Sequence, residues 1–168
     1  MAAGKTEVSE KAKAAGKAAN KMDLIIRKAG PLDYEEMAMI DEKCFSIPWS
    51  AESFYRELTK NKIALYVVAE VGGFVVGYMG LWRVEDEGHI TNVAVLPEYR
   101  ERNIASAMMA VLFDTCEKNG ITDFTLEVRK SNMPARCLYE KHGFRSEGVR
   151  PKYYDDNKED AVIMWRRR

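Results

Sequence analysis

Apolar residues along this chain fall into two rhythms. From Ile63 to Val95 they come in runs cut by glycine and acidic turns: IALYVVAEV (63–71), the pair Gly72-Gly73, FVVGYMGLWRV (74–84), the stretch EDEG, then HITNVAV (89–95). Two glycines between β-branched and aromatic runs suit a two-residue hairpin, whose turn needs positive φ at both positions. LIIRKA (24–29), DFTLEV (123–128), FRSEGV (144–149) and DAVIMW (160–165) have the same strand character. Elsewhere the spacing is helical. Asp33 with Glu36 offers a capping box for a helix to about Cys44. Beyond the loop FSIPWS (45–50), Ser50 suits the cap of a second, short helix. Asn103 to Asn119 predicts a third helix closed by Gly120, and Pro134 to His142 a fourth that stops at Gly143.

The predicted order is β-α-α-β-β-β-α-β-α-β-β. Hairpins in the first half favour antiparallel pairing, and the later strand–helix–strand unit favours a locally parallel pair. The expected fold is therefore α+β, one layered domain over residues 22–168 around a central, mostly antiparallel twisted sheet. Residues 1–21, MAAGKTEVSEKAKAAGKAANK, carry no aromatic side chain. They hold too little apolar surface to offset the entropy of ordering and read as a flexible low-complexity tail.

Composition then narrows the function classes. Lys+Arg and Asp+Glu each number 26, so no charge excess points to nucleic acid or to an anionic membrane. No stretch has the length of a membrane span, and the N-terminus lacks the apolar centre of a signal peptide. Cys44, Cys116 and Cys137 are odd in number and lack ligand spacing, while His89 and His142 stand far apart. Reduced thiols, no metal and a cytoplasmic location are the expectation.

One junction differs chemically from its surroundings. In VAVLPEYRERNIASAMM (93–109) an apolar run ends at Pro97, a loop carries Arg100 and Arg102, and a slim helix begins. A helix N-terminus presents free N–H groups and the positive end of the helix dipole. Beside two guanidiniums, with Ala105 and Ser106 leaving room for close approach, it suits a phosphate or pyrophosphate. A solvated basic loop capping a packed helix has the same sequence, so the junction alone leaves both open.

Arg100-Glu101-Arg102-Asn103-Ile104-Ala105 resembles the acetyl-CoA loop of the GCN5-related N-acetyltransferases (GNAT), Gln/Arg-x-x-Gly-x-Gly/Ala, with Asn103 in place of the first glycine. Asparagine tolerates positive φ better than other residues bearing a side chain, so the turn can be kept. LEVRKSNMPARCLYEKHGF (126–144) is similar to E-V-R-x-S-N-x-x-A-x-x-L-Y-x-x-x-G-F, the signature of that family's RimI-type branch, the ribosomal-protein alanine N-acetyltransferases. FSIPWS and the pair Tyr153-Tyr154 ahead of DAVIMW also look like that branch, so the likeness runs over roughly residues 22–165.

Taken alone, Glu127 is a carboxylate on the polar side of a strand and Tyr139 a core tyrosine. The resemblance implies that Glu127 is the general base and Tyr139 the general acid. It also implies acetyl-CoA as co-substrate, held by the backbone of Val93, Ala94 and Val95, by the loop from Arg100 to Ser106, and by Asn132. The reaction implied is acetyl transfer to the α-amine of a protein N-terminus, Ala-first, on a ribosomal protein. An α-amine has a pKa of about 8 against about 10.4 for lysine, so at neutral pH it is roughly two orders of magnitude easier to deprotonate. Ile47, Pro48, Trp49, Tyr153 and Tyr154 are the candidates to line the peptide entrance, because aromatic and proline side chains make rigid walls. Two alternatives share the cofactor loop: a transferase for lysine, polyamines or small amines, and a non-catalytic acyl-CoA sensor.

Overall fold

The computed structural model describes residues 23–168, so the tail expected over residues 1–21 and the domain start at residue 22 lie outside the described residues. Strands β1 (Leu24–Lys28), β2 (Ala64–Val71), β3 (Phe74–Val84), β4 (Glu87–Val95), β5 (Asp123–Arg129), β6 (Arg145–Arg150) and β7 (Ala161–Arg166) form one sheet. Their spatial order is β1-β2-β3-β4-β5-β7-β6. Helices α1 (Tyr34–Cys44) and α2 (Ala51–Thr59) follow β1, α3 (Ile104–Lys118) follows β4, and α4 (Met133–Lys141) follows β5. The α+β order expected from the sequence is observed, with a short 3-10 turn at Pro97–Tyr99 added to it.

Local chemistry explains the turns. Gly72 and Gly73 take φ 57° and 83°, so Val71 pairs directly with Phe74. The next hairpin is tighter than the sequence suggests: β4 begins at Glu87 rather than His89, and Glu85 turns the chain at φ 57°. Ser50 caps α2, its Oγ accepting from the Ser53 N–H at 3.1 Å. Asp33 does not form the expected capping box. Its carboxylate accepts from Arg27 at 2.8 and 2.9 Å and from the Gly30 N–H at 2.6 Å, which turns it away from the amides of α1.

Every neighbouring pair is antiparallel except β4 and β5. Their parallel ladder is brief: Glu87, Gly88 and His89 pair with Asp123, Phe124 and Thr125, and there it ends. Beyond it the strands part. β4 also carries a bulge, since Gly80 pairs with Asn92 and Leu81 with Ile90, leaving Thr91 as the extra residue.

The two faces of the sheet bury different helices. Phe113 of α3 packs on Phe124 with ring centroids 4.4 Å apart, and Met108 approaches Gly77. On the opposite face Phe54 of α2 meets Tyr78 edge-on at 5.3 Å, while the Trp82 indole N–H donates to Glu57 at 2.6 Å. Gly80 has a steric reason to be glycine. A Cβ there would stand 2.0 Å from Cε1 of Tyr66, a buried ring whose hydroxyl donates to Glu57 at 3.0 Å. Gly80→Ala should therefore cost about 1–3 kcal/mol or more through overpacking. Differential scanning calorimetry would read this as a fall in Tm of several degrees; an unchanged Tm would mean that the ring yields.

Candidate active site

Where β4 parts from β5, residues from the helices on both faces of the sheet line one cleft. Phe124 faces α3, so strand alternation turns Thr125, Glu127 and Arg129 toward the α1–α2 side. Glu127 lines a cleft of about 590 Å³ along the parted strands. Tyr139 reaches the same cleft from α4. Its ring packs against Phe144 at 5.9 Å, and burial pushes its phenol well above the ordinary range, with Tyr154 adding to the shift. The Glu127 side chain is 32% exposed and ion-pairs with Arg150, Nε to Oε1, at 3.3 Å.

The β4 edge supplies backbone groups. Leu96 donates its N–H to Val76 O, so alternation commits Ala94 to β3 and turns Val93 and Val95 toward the parted side. There the Val95 carbonyl accepts from Arg100 Nε at 3.0 Å and from the Cys44 thiol at 3.4 Å. The loop beyond it holds two left-handed residues, Glu101 at φ 60° and Asn103 at φ 59°. Asn103 thus takes the conformation that the sequence required of it. The hydrogen-bond ladder of α3 begins with Ala107 N–H on Asn103 O, and no side chain caps the end. The amides of Ile104, Ala105 and Ser106 precede that ladder. Both loop guanidiniums rest on protein: Arg100 on Val95 and on Cys44 at 3.5 Å, Arg102 over the Tyr99 ring at 5.4 Å. Asn132 caps α4, its Oδ1 accepting from the Ala135 N–H at 3.2 Å, and also lines the cleft.

At the mouth, Ile47 and Trp49 from the α1–α2 loop face Tyr154 from the loop between β6 and β7. Pro48 and Tyr153, expected with them, are not part of this lining; Tyr153 stands outside, its ring perpendicular to Tyr154 at 5.1 Å. The Tyr154 phenol is pushed up to about 12 by burial, against the pull of Arg129, whose guanidinium lies 3.9 Å from its ring centroid. Arg129 also pairs with Asp156 at 2.7 Å and Glu159 at 3.4 Å. The Ser46 hydroxyl donates to Asp156 at 2.6 Å and so ties the two loops across the mouth. Ser131, whose N–H donates at 2.7 Å, holds the Glu159 carboxyl down to about 2. Ser46 and then Arg129 lower that of Asp156.

Sequence reasoning passed over several contributors. Asp41 is 1% exposed, accepts from the Tyr78 hydroxyl, and accepts from the Trp49 N–H at 2.7 Å, which fixes Trp49 at the entrance. Burial raises its carboxyl. A signal was present, because Met37, Ile40, Asp41 and Cys44 repeat at helical spacing, and a carboxylate on an apolar stripe needs partners. Asn92, in the β4 wall, keeps a buried Oδ1 with no partner among the described residues. Arg150 had no signature at all.

The comparisons with known proteins agree with this architecture. Residues 34–144 match the model of the acetyltransferase (GNAT) family. The chain belongs to that family. The GNAT match runs from the start of α1 to the residue before β6 and takes in both walls of the cleft. A Bacillus subtilis protein, provisionally named a ribosomal protein bS18-alanine N-acetyltransferase, is 41% identical over 133 residues, covering 79% of this chain and 88% of its own. The Escherichia coli ribosomal protein bS18-alanine N-acetyltransferase is 34% identical over 137 residues, covering 74% and 84%. The crystal structure of the Escherichia coli ribosomal-protein-S18-alanine N-acetyltransferase aligns with a TM-score of 0.78 at 30% identity, over 84% of this chain and 92% of that one.

The Arg129 brace can be tested directly. Arg129→Ala should speed amide exchange over residues 151–160 by roughly tenfold while β2 and β3 keep their rates, as read by hydrogen–deuterium exchange mass spectrometry. Acid should act in the same direction. The Asp156 and Glu159 carboxyls titrate lower folded than unfolded, so their bracing is whole above about pH 5 and is lost as the pH falls toward about 2. Loosening already at pH 6 would contradict this.

Proposed function

We propose that this GNAT protein transfers acetyl from acetyl-CoA to the α-amine of a protein N-terminus, with an Ala-first ribosomal protein of the bS18 type as substrate. The observation that carries the reading is that Glu127 and Tyr139, from opposite layers, line one cleft where β4 and β5 part. The names of the Bacillus subtilis and Escherichia coli relatives support the substrate class.

Acetyl-CoA, when bound, supplies an acyl group activated as a thioester. The residues present fit it. The amides of Ile104, Ala105 and Ser106 sit at an uncapped helix start whose first turn carries small side chains, suited to a diphosphate. Asn132 and Val93 line the way toward Glu127, and the N–H of Val95 is turned to the same parted side.

Glu127 has the first task, because an ammonium has no lone pair to attack with. At pH 7 about one α-amine in ten is already neutral, against roughly one lysine in a few thousand. A carboxylate therefore needs to complete only a modest proton transfer for an N-terminus. The N–H groups of Val93 and Val95, turned to the parted side, would stabilise a carbonyl oxygen that gains charge there, a contribution of about a few kcal/mol. Tyr139, on the α4 side of the cleft, would serve the leaving sulfur. Even a phenol at its ordinary pKa of about 10 lies roughly 2 kcal/mol uphill from a thiol at about 8.5. Burial raises Tyr139 further, so it stabilises the sulfur by hydrogen bonding rather than by full protonation.

Three measurements test this. Acetyl-CoA turnover should be fastest on an Ala-first peptide within a panel varied at residue one, and an N-blocked lysine peptide turned over equally well would overturn the N-terminal assignment. Glu127→Gln should lower kcat/KM by roughly a hundredfold or more near pH 7 and much less at high pH. Tyr139→Phe should slow turnover while calorimetry finds acetyl-CoA bound with an unchanged Kd; a large loss of affinity would make it a packing residue.

A further inference from the structure

Strands β5, β7 and β6 set two arginines on one row. Arg129 and Arg150 both pair with Ala161, and residues directly opposite across antiparallel strands share a face. Glu127 lies on the same face one pair along, opposite Ile163, whose β6 partner is Gly148. Ala161 offers only a methyl group and Gly148 no side chain, so Arg150 has a clear run across β7. It ends with Nε 3.3 Å from Glu127 Oε1. Arg129, on Glu127's own strand, faces the other way in effect: it is occupied by Asp156, Glu159 and the Tyr154 ring.

We infer that Arg150 is the positioning residue for the base in the proposed acetyl transfer, an inference that rests on the acetyltransferase reading. Arg150 holds the carboxylate through Oε1 and leaves Oε2 for the incoming amine. The proton then moves from the ammonium nitrogen to Oε2, and the nitrogen keeps the electron pair with which it attacks. The Arg150 side chain is 57% exposed, so the pair orients Glu127 without locking it in place. The other titratable groups around Glu127 are Tyr154 from the β6–β7 loop and Tyr139 from α4, with Arg129, Asp41, Cys44, Asp155, Asp156 and Glu159 on the same cleft. None of these is a free cation able to stand in for Arg150.

The test is the pH dependence of kcat/KM on an Ala-first peptide for the full chain. In Arg150→Met the acid limb should move to higher pH by about half to one unit at low salt, the size of one unit charge lost at this distance in a wet setting. Arg150→Lys should hold the limb near its wild-type position. Raising the ionic strength to about 0.5 M should move the wild-type limb in the direction of Arg150→Met and leave that variant in place. Acetyl-CoA Kd and Tm should be unchanged in both variants. An unmoved limb, whether activity falls through KM or Tm drops, would overturn the inference and make Arg150 a peptide contact or a structural residue. The same shift appearing in a Glu127→Gln background would also overturn it. Failure of the wild-type chain to turn over acetyl-CoA is a separate result, visible before any variant is made, and would sink the acetyltransferase reading itself.

Discussion

The structure depends on two parallel strands that begin to pair and then stop. A complete β4–β5 ladder would have satisfied the edge of each strand with the other and left nothing for a ligand. Parting after His89 and Thr125 leaves backbone donors and acceptors of β4 facing open space. Unpaired backbone groups are tolerated only where something else meets them. For the Val95 carbonyl the partners are Arg100 and Cys44. Val93 and Val95 keep their N–H groups on the same side.

An opened sheet needs bracing, and polar side chains supply it. Tyr78 and the Trp49 amide converge on Asp41, tying the entrance loop through α1 to β3. On the same face Glu57 accepts from Tyr66 and Trp82, and the Tyr66 hydroxyl stands 3.4 Å from Thr91, the extra residue of the bulge. A buried carboxylate such as Asp41 is stable only when its hydrogen bonds are met, and here they are; those of the partly buried Glu57 are met as well. The result is a braced wall on the β4 side, set against a wall on the β5 side that carries Glu127.

The fold was legible where one rule governed each position. Paired glycines gave the first hairpin, Ser50 gave a cap, and alternation in DFTLEV assigned Glu127 to the face away from Phe124. Asp33 failed as a cap because its competitor, Arg27, lies on β1 and becomes its neighbour only after folding. The same holds for Arg150, which meets Glu127 only through a register two strands wide. The arginines of the loop were legible as positive charge but not in direction, since Arg100 turns back to a carbonyl that no local pattern marks. Sequence motifs singled out Glu127 and Tyr139, which line one cleft; cross-strand registers, which no single stretch encodes, determine what surrounds them.

Glu127 and Arg129 are neighbours on one face of one strand, and this has a mechanical consequence. Arg129 fastens the loop that forms the outer rim, while Glu127 lines the cleft that this loop borders. Any sliding or tilting of β5 must carry the doorway and the Glu127 carboxylate together, as two fittings on one rail. Thermal motion can thus widen or narrow the passage without spoiling its alignment with the carboxylate at its end.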